Sequence, residues 1–390
     1  FFTPSTAVRY MVELLAPTQG KILDPACGSG GMFVQTAHYI ERHRAKGKQI
    51  NLRAYGVEKT GATVKLAKMN LVLNNVRGTI TEANSYYRDP YDSFGNFDYV
   101  MANPPFNVDE VELDGVKDQP RFNTYGVPQN KTKNKKKDAK ETVPNANYLW
   151  INQFATALNE TGRAALVMAN SASDAGNSEK DIRIKLIESG IISQMVTLPP
   201  NMFTSVTLPA TLWFFDKAKQ KKDEILFVDA RNIFTQIDRA HRKFSDEQIR
   251  NLGIITRLYE GKTEQFEALL ADYQTKLAEA PEVSDDEDIM PKSYWQAQID
   301  WLTERFPDGK YRDVVGLCRV AKIEGEDGIK DQDYSLNPGR YVGVVIKDDG
   351  LTQDEFKQRM MAYYTELSKL KEEAYGLESK ITENLKELFQ

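Results

Sequence analysis

Over the first 230 or so positions, apolar residues switch repeatedly between helical spacing and short continuous runs, the mark of helices alternating with buried strands. Residues 5–15 (STAVRYMVELL) place apolar side chains at helical spacing behind Pro4, with a serine as candidate cap, and predict a first helix. Lys21-Ile22-Leu23-Asp24 predicts a short strand, residues 32–44 a helix, and Ala54-Tyr55-Gly56-Val57-Glu58 a second strand. A helix over 62–74 follows, with Val64, Ala67 and Leu71 on one face, then a third strand with its exit over 80–85. Residues 95–102 lead into a fourth strand, and regularity then lapses for about 35 residues. Order resumes with helices over 148–158 and 179–189 and strands over 163–168, 191–198, 211–215 and 225–228. Strands separated by helices, closed by strands without them, predict a mainly parallel α/β sheet that ends in an antiparallel hairpin.

The texture changes near residue 240. The first domain is expected over 1–240, with 107–145 as a mobile basic loop, and 241–390 as a mainly helical C-terminal region. Asp285-Asp286-Glu287-Asp288 reads as a linker, and 309–341 is turn-rich. Phe356, Met360, Tyr363, Leu367, Leu370, Ala374, Leu377 and Ile381 alternate gaps of four and three, a heptad flanked by Glu and Lys. Such a stripe serves either a partner helix or the chain's own domain.

Composition narrows the function classes. The 390 residues are 41% hydrophobic and 27% charged, ordinary for a globular protein, and no run approaches the length of a membrane span. A net charge of −5 means that any nucleic-acid contact must come from a local basic patch or a partner. Cys27, Cys318 and three histidines supply neither a disulfide framework nor a zinc set, as expected of a reducing cytoplasm. The chain opens on Phe1-Phe2-Thr3-Pro4 without methionine, so a preceding N-terminal helical domain is expected to be absent from it.

Three stretches carry chemistry. After the first strand comes Pro25-Ala26-Cys27-Gly28-Ser29-Gly30-Gly31, a glycine turn opening a helix, the arrangement that faces backbone N–H groups toward a ligand. Its third fingerprint position is Phe33, which disfavours a pyrophosphate cradle, and Cys27 reads as a packed residue rather than a nucleophile. The second strand ends in Glu58, either a grip on two ribose hydroxyls or an ordinary capping carboxylate. The fourth runs into Asn103-Pro104-Pro105-Phe106. Two prolines stiffen the bend, so the Asn103 amide and the Pro104 carbonyl project as acceptors beside an aromatic ring. That suits a planar exocyclic amine, although the same bend serves as a plain loop elsewhere. Lys131, Lys133, Lys135, Lys136 and Lys137 follow, either a solvated run or contacts to DNA phosphates.

In this order the stretches resemble the S-adenosylmethionine-dependent N6-adenine DNA methyltransferases, and more narrowly the modification subunits of type I restriction–modification systems. Phe2-Thr3-Pro4-Ser5 is similar to the family's cofactor motif before the first helix, and Asp24, Pro25, Gly28, Ser29, Gly30 and Gly31 to its glycine motif. Glu58 matches the ribose acid, Asn103 to Phe106 the catalytic tetrapeptide, and Ser335-Leu336-Asn337-Pro338-Gly339-Arg340-Tyr341 a signature near the C-terminal end. One departure stands out: Asn84 occupies a position where such enzymes usually carry Asp. The resemblance implies a Rossmann-like class I methyltransferase sheet and a cytoplasmic enzyme without a metal. It would methylate a flipped-out adenine in DNA within a complex holding a specificity subunit, a restriction subunit and a second copy of this chain. A self-sufficient methyltransferase on DNA, RNA or protein amide nitrogen, reading its substrate through 107–145, and a non-catalytic assembly subunit are the rival expectations.

Overall fold

The computed structural model describes residues 3–43, 51–130, 141–203, 209–286, 288–345 and 352–388. The first half alternates as the pattern predicts: α1 (Ser5–Leu15), β1 (Gly20–Asp24), α2 (Gly31–His43), β2 (Leu52–Glu58), α3 (Gly61–Leu73), β3 (Gly78–Glu82) and β4 (Phe97–Ala102). A short α4 (Pro120–Asn123) precedes α5 (Asn147–Ala157), β5 (Leu158–Ala169), α6 (Asn177–Glu188), β6 (Ile192–Thr197), β7 (Ala210–Asp216) and β8 (Glu224–Asp229). Then come a two-stranded ribbon, β9 (Thr235–Gln236) and β10 (Arg242–Lys243), and three helices, α7 (Asp246–Tyr259), α8 (Thr263–Glu279) and α9 (Lys292–Arg305). The last elements are β11 (Cys318–Lys322) and α10 (Gln353–Leu388).

Among the described residues one sheet runs β11-β8-β6-β7-β5-β4-β1-β2-β3. Strands β5-β4-β1-β2-β3 are parallel to their neighbours, whereas β7 pairs antiparallel with both β5 and β6. The expected antiparallel hairpin is thus β6–β7, but its second strand inserts inside the sheet, and β8 and β11 extend the edge beyond it. β4 shows why the sheet is sandwiched. Tyr99 and Met101 join the apolar cluster on one face, while Phe97, Val100 and Ala102 join the other. Both faces are covered, so the strand reads as a continuous apolar run.

The segment after Phe106 is more ordered than its composition suggests. Val111, Leu113, Val116, Phe122 and Val143 are buried, Glu112 bridges Thr142, and buried Arg121 donates to Tyr86 O (3.2 Å). Without periodicity, these aperiodic anchors cannot be told from loop residues in the sequence. The five lysines between 131 and 137 lie outside the described residues.

Contacts divide the chain into Phe1–Gly343 and Val344–Gln390, where composition suggested a break near 240. The reason is α7: its Ile249, Leu252, Ile255 and Leu258 are buried in the same cluster as Tyr10 and Met11 of α1. Arg9 pairs with Asp246 at 2.7 Å, and a Ser245–Gln248 capping box starts the helix. The acidic stretch near 285 likewise joins two helices that pack, with Tyr273 and Trp295 rings 5.8 Å apart. Within the second unit, Thr352 precedes α10, and its amide and hydroxyl both donate to Glu355 Oε2. Phe356, Met360, Tyr363, Leu367, Leu370, Leu377 and Ile381 on its stripe are each at least half exposed. Among the described residues no helix is long and apolar enough to cross a membrane.

Candidate active site

Four adjacent parallel strands, β4-β1-β2-β3, deliver the predicted residues to one edge of the sheet, because each candidate sits at or just beyond a strand's carboxyl end. Asp24 ends β1 and Glu58 ends β2, with Asp24 and Gly56 in register. Asn84 leaves β3, and Asn103 leaves β4.

The glycine turn is open on its ligand side. A Cβ at Gly28 or Gly31 would meet nothing within 4 Å, and α2 begins at Gly31 directly after this space. Gly30 has φ +81°, a left-handed conformation that a side chain would strain. The turn is tied down from behind: Cys27 N donates to Val57 O (2.9 Å), Ser85 Oγ to Pro25 O (2.5 Å), and Asn70 Nδ2 to Ser29 O (2.8 Å). Gly56 lets β2 approach this turn, since a Cβ there would lie 2.8 Å from Cys27 Sγ and 2.5 Å from Ile80 Cδ1. Cys27 is packed, and burial pushes its thiol far above the usual range, so it is no nucleophile.

Asp24 is almost completely buried and accepts the Ala26 amide at 3.0 Å. Burial, with Glu58 nearby, pushes its carboxyl up to about 8 against the opposing pull of that hydrogen bond. Glu58 uses Oε1 to accept Thr60 N (2.9 Å) just before α3. Asn84 folds its own carbonyl back onto Tyr86 N (3.1 Å), an Asx turn. Its amide NH2 offers a donor as well, where an ionised aspartate would have none.

At the end of β4, Asn103 Nδ2 donates to Thr3 Oγ1 (3.1 Å). That bond joins the segment before α1 to the tetrapeptide across 100 positions and occupies the NH2 end of the amide. No described residue donates to Asn103 Oδ1 or to the Pro104 carbonyl. Pro104 is buried, Pro105 is exposed, and half-buried Phe106 packs against both apolar clusters. Pro4 and Ser5 cap and begin α1 beside Thr3, and Phe2 lies outside the described residues.

Sequence patterning missed what holds the bend. Asn107 has φ +55°, and its amide donates to Asn147 Oδ1 (2.8 Å). Asn147 Nδ2 and Asn145 Nδ2 both donate back to Asn107 Oδ1 (2.9 and 3.1 Å). Asn147 is buried at the start of α5. The one signal was Asn-Ala-Asn directly before a helix, which asparagine's habit of bonding nearby backbone makes unremarkable.

A mostly parallel sheet with β7 reversed beside β5, a glycine turn after β1 and an acid at the end of β2 define a class I methyltransferase fold. A solved methyltransferase subunit of a type I restriction–modification system from Streptococcus thermophilus shares it, with a TM-score of 0.62, 21% identity, and coverage of 88% of this chain and 59% of that one. Residues 1–300 match the N-6 DNA Methylase family model. The chain is 34% identical over 392 aligned residues to the methylase subunit of the type I restriction enzyme MjaIX from Methanocaldococcus jannaschii, covering 99% of this chain and 58% of the relative. It is 32% identical over 388 residues to that of HindI from Haemophilus influenzae, covering 99% of this chain and 72% of the relative. The chain belongs to the N-6 DNA methylase family, within the methylase subunits of type I restriction enzymes.

Proposed function

We propose that this chain transfers a methyl group from S-adenosylmethionine to the N6 amine of an adenine extruded from DNA, as the methylase subunit of a type I complex. The observation that carries it is Asn103: with its NH2 held by Thr3, its oxygen and the Pro104 carbonyl stand as two fixed acceptors at one strand end.

The open glycine turn fits the cofactor, with Gly28 to Gly31 lining it, Glu58 Oε2 for the ribose hydroxyls and Asn84 for the adenine ring. When bound, S-adenosylmethionine supplies an electrophilic methyl group. The chain's own work is on the amine. Adenine N6 is a poor nucleophile because its lone pair is delocalised into the ring. Asn103 Oδ1 and Pro104 O each accept one N6 hydrogen and so draw the nitrogen toward tetrahedral geometry. Phe106 stacks on the base, a contact worth about 1–3 kcal/mol. The proton leaves after transfer, so no general base is required beforehand. Positioning alone can supply about 7–11 kcal/mol of the barrier. A base inside a duplex is out of reach, hence extrusion.

A specificity subunit would read the site, and the α10 stripe is the surface we assign to docking it. Restriction subunits and a second copy of this chain complete the proposed assembly. The test is incorporation of labelled methyl groups into duplex DNA, with and without a specificity subunit, followed by nucleoside analysis. Label in N6-methyladenine supports the assignment. Label only in cytosine, RNA or protein overturns it.

A further inference from the structure

Further along the same carboxyl edge, positive charge collects that the methyl-transfer chemistry does not use. The Ser335–Tyr341 segment docks there: Leu336 N donates to Ser173 O (2.9 Å), and the Tyr341 ring stacks on Phe227 of β8 with centroids 3.9 Å apart. This docking sets Arg340 beside Asp174, in the turn after β5, at 3.6 Å. It also brings Gly339 so close to Arg231 that a Cβ there would lie 3.0 Å from Nη2. Arg231 follows β8 and is forked onto Asp229 (Nε–Oδ1 2.9 Å, Nη2–Oδ2 2.5 Å). Asp229 is only 7% exposed, while the Arg231 and Arg340 side chains are 48% and 49% exposed. The carboxylates thus orient the guanidinium groups from behind.

The β9–β10 ribbon continues the band. Asp238 accepts the amides of Ala240 (2.7 Å) and His241 (2.9 Å) and stiffens the tip, and Arg242 N donates to Asn201 O (3.0 Å), tying the ribbon to the loop after β6. Arg242 lies 3.9 Å over the Phe234 ring, and Arg239 and Lys243 are exposed with no carboxylate partner among the described residues.

We infer that Arg340, Arg231, Arg239, Arg242 and Lys243 form a track for the phosphates of duplex DNA flanking the extruded adenine. The inference rests on the DNA-methylation assignment above. β8 is four strands from β4 in the sheet, about 19 Å at about 4.8 Å per strand. Duplex DNA carries one charge per about 1.7 Å, so the track meets phosphates about half a helical turn from the base. Phosphate contacts position a duplex without reading sequence, which suits a subunit whose site is read elsewhere.

The test is fluorescence anisotropy of a labelled duplex titrated with the full chain, alone and with co-purified subunits, between about 50 and 200 mM salt. Each phosphate contact contributes about 0.9 to the slope of log K against log salt. Arg239→Gln with Lys243→Gln, and separately Arg231→Gln with Arg340→Gln, should each lower that slope by about 1–2. Cofactor affinity, measured by calorimetry, should hold in both. The first pair has no carboxylate partner to orphan, so it remains a fair trial if the second misfolds. Unchanged slopes in variants of a wild-type chain that binds and methylates DNA overturn the track alone. A wild type that binds cofactor but neither binds nor methylates DNA overturns the methylation assignment and the track together.

Discussion

The turns that end β1 and β4 lie on adjacent strands and are built on opposite principles. The first is made of absence. Its glycines leave space around Gly28 and Gly31, and its anchors come from other elements, Val57 of β2, Asn70 of α3 and Ser85 after β3. The second is made of constraint: two prolines, a threonine clamp on Asn103 and a ring of three asparagines behind Phe106. A cofactor of many atoms can be held by a shaped surface with many small contacts. A single nitrogen that must be reshaped needs two acceptors held still, because misplacement of about 1 Å can cost about 100-fold in rate.

The sharpest way to break this contrast is Asn103→Ala. Loss of a preorganised dipole aimed at the reacting atom costs about 100- to 1,000-fold, and the proposed geometry loses one of only two. Methyl transfer should fall at least about 1,000-fold, while calorimetry shows cofactor affinity within about twofold. Unchanged turnover would remove Asn103 from the chemistry.

Next in size is Asn147→Ala, which touches no substrate. It frees Asn107 N and strips one of two donors from Asn107 Oδ1. Turnover should drop about 10- to 100-fold with cofactor affinity preserved, and orphaned buried groups should cost about 1–3 kcal/mol of stability. Asn147→Asp keeps the acceptor for Asn107 N and should recover part of the rate. A purely structural residue would lower stability in both variants without that partial rescue of turnover.

Glu58→Ala attacks the other turn. It should weaken cofactor binding about tenfold and leave turnover at saturating cofactor within a few-fold. Equal binding by calorimetry would leave Glu58 with only its bond to Thr60 N.

How much of this was visible in the residues follows the same division. The alternation of periods located the strands that matter, from β1 to β8, within one to five residues at their ends. Glycines and prolines announce themselves locally, so Gly28–Gly31 and Asn103–Phe106 were legible. What stayed hidden depends on tertiary distance. The Thr3–Asn103 bond spans 100 positions, the Asn107–Asn147 lock 40, and the Gly339–Arg231 contact more than that. The insertion of β7 between β5 and β6 was hidden too, because a strand's composition does not name its neighbours. At position 84 the side chain turned out to be folded onto Tyr86 N, which the substitution of Asn for Asp alone did not announce.

The smallest expected effect concerns Asp24, the carboxyl buried at the start of the open turn. In the unfolded chain its carboxyl titrates near the ordinary value of about 3.9, whereas in the fold burial raises it to about 8. Between those values the folded state holds a proton that the unfolded state has released, so stability falls as pH rises through this window. Asp24→Asn removes the titration while keeping a side-chain oxygen for Ala26 N. Thermal denaturation from pH 5 to pH 9 should therefore show a wild-type midpoint that declines relative to the variant, by about 2–5 °C across the range. The two proteins should agree best at the acid end. Parallel curves would mean that Asp24 is ionised at neutral pH in the folded chain, and the β1 turn would then present a negative charge to its ligand rather than a neutral carboxyl.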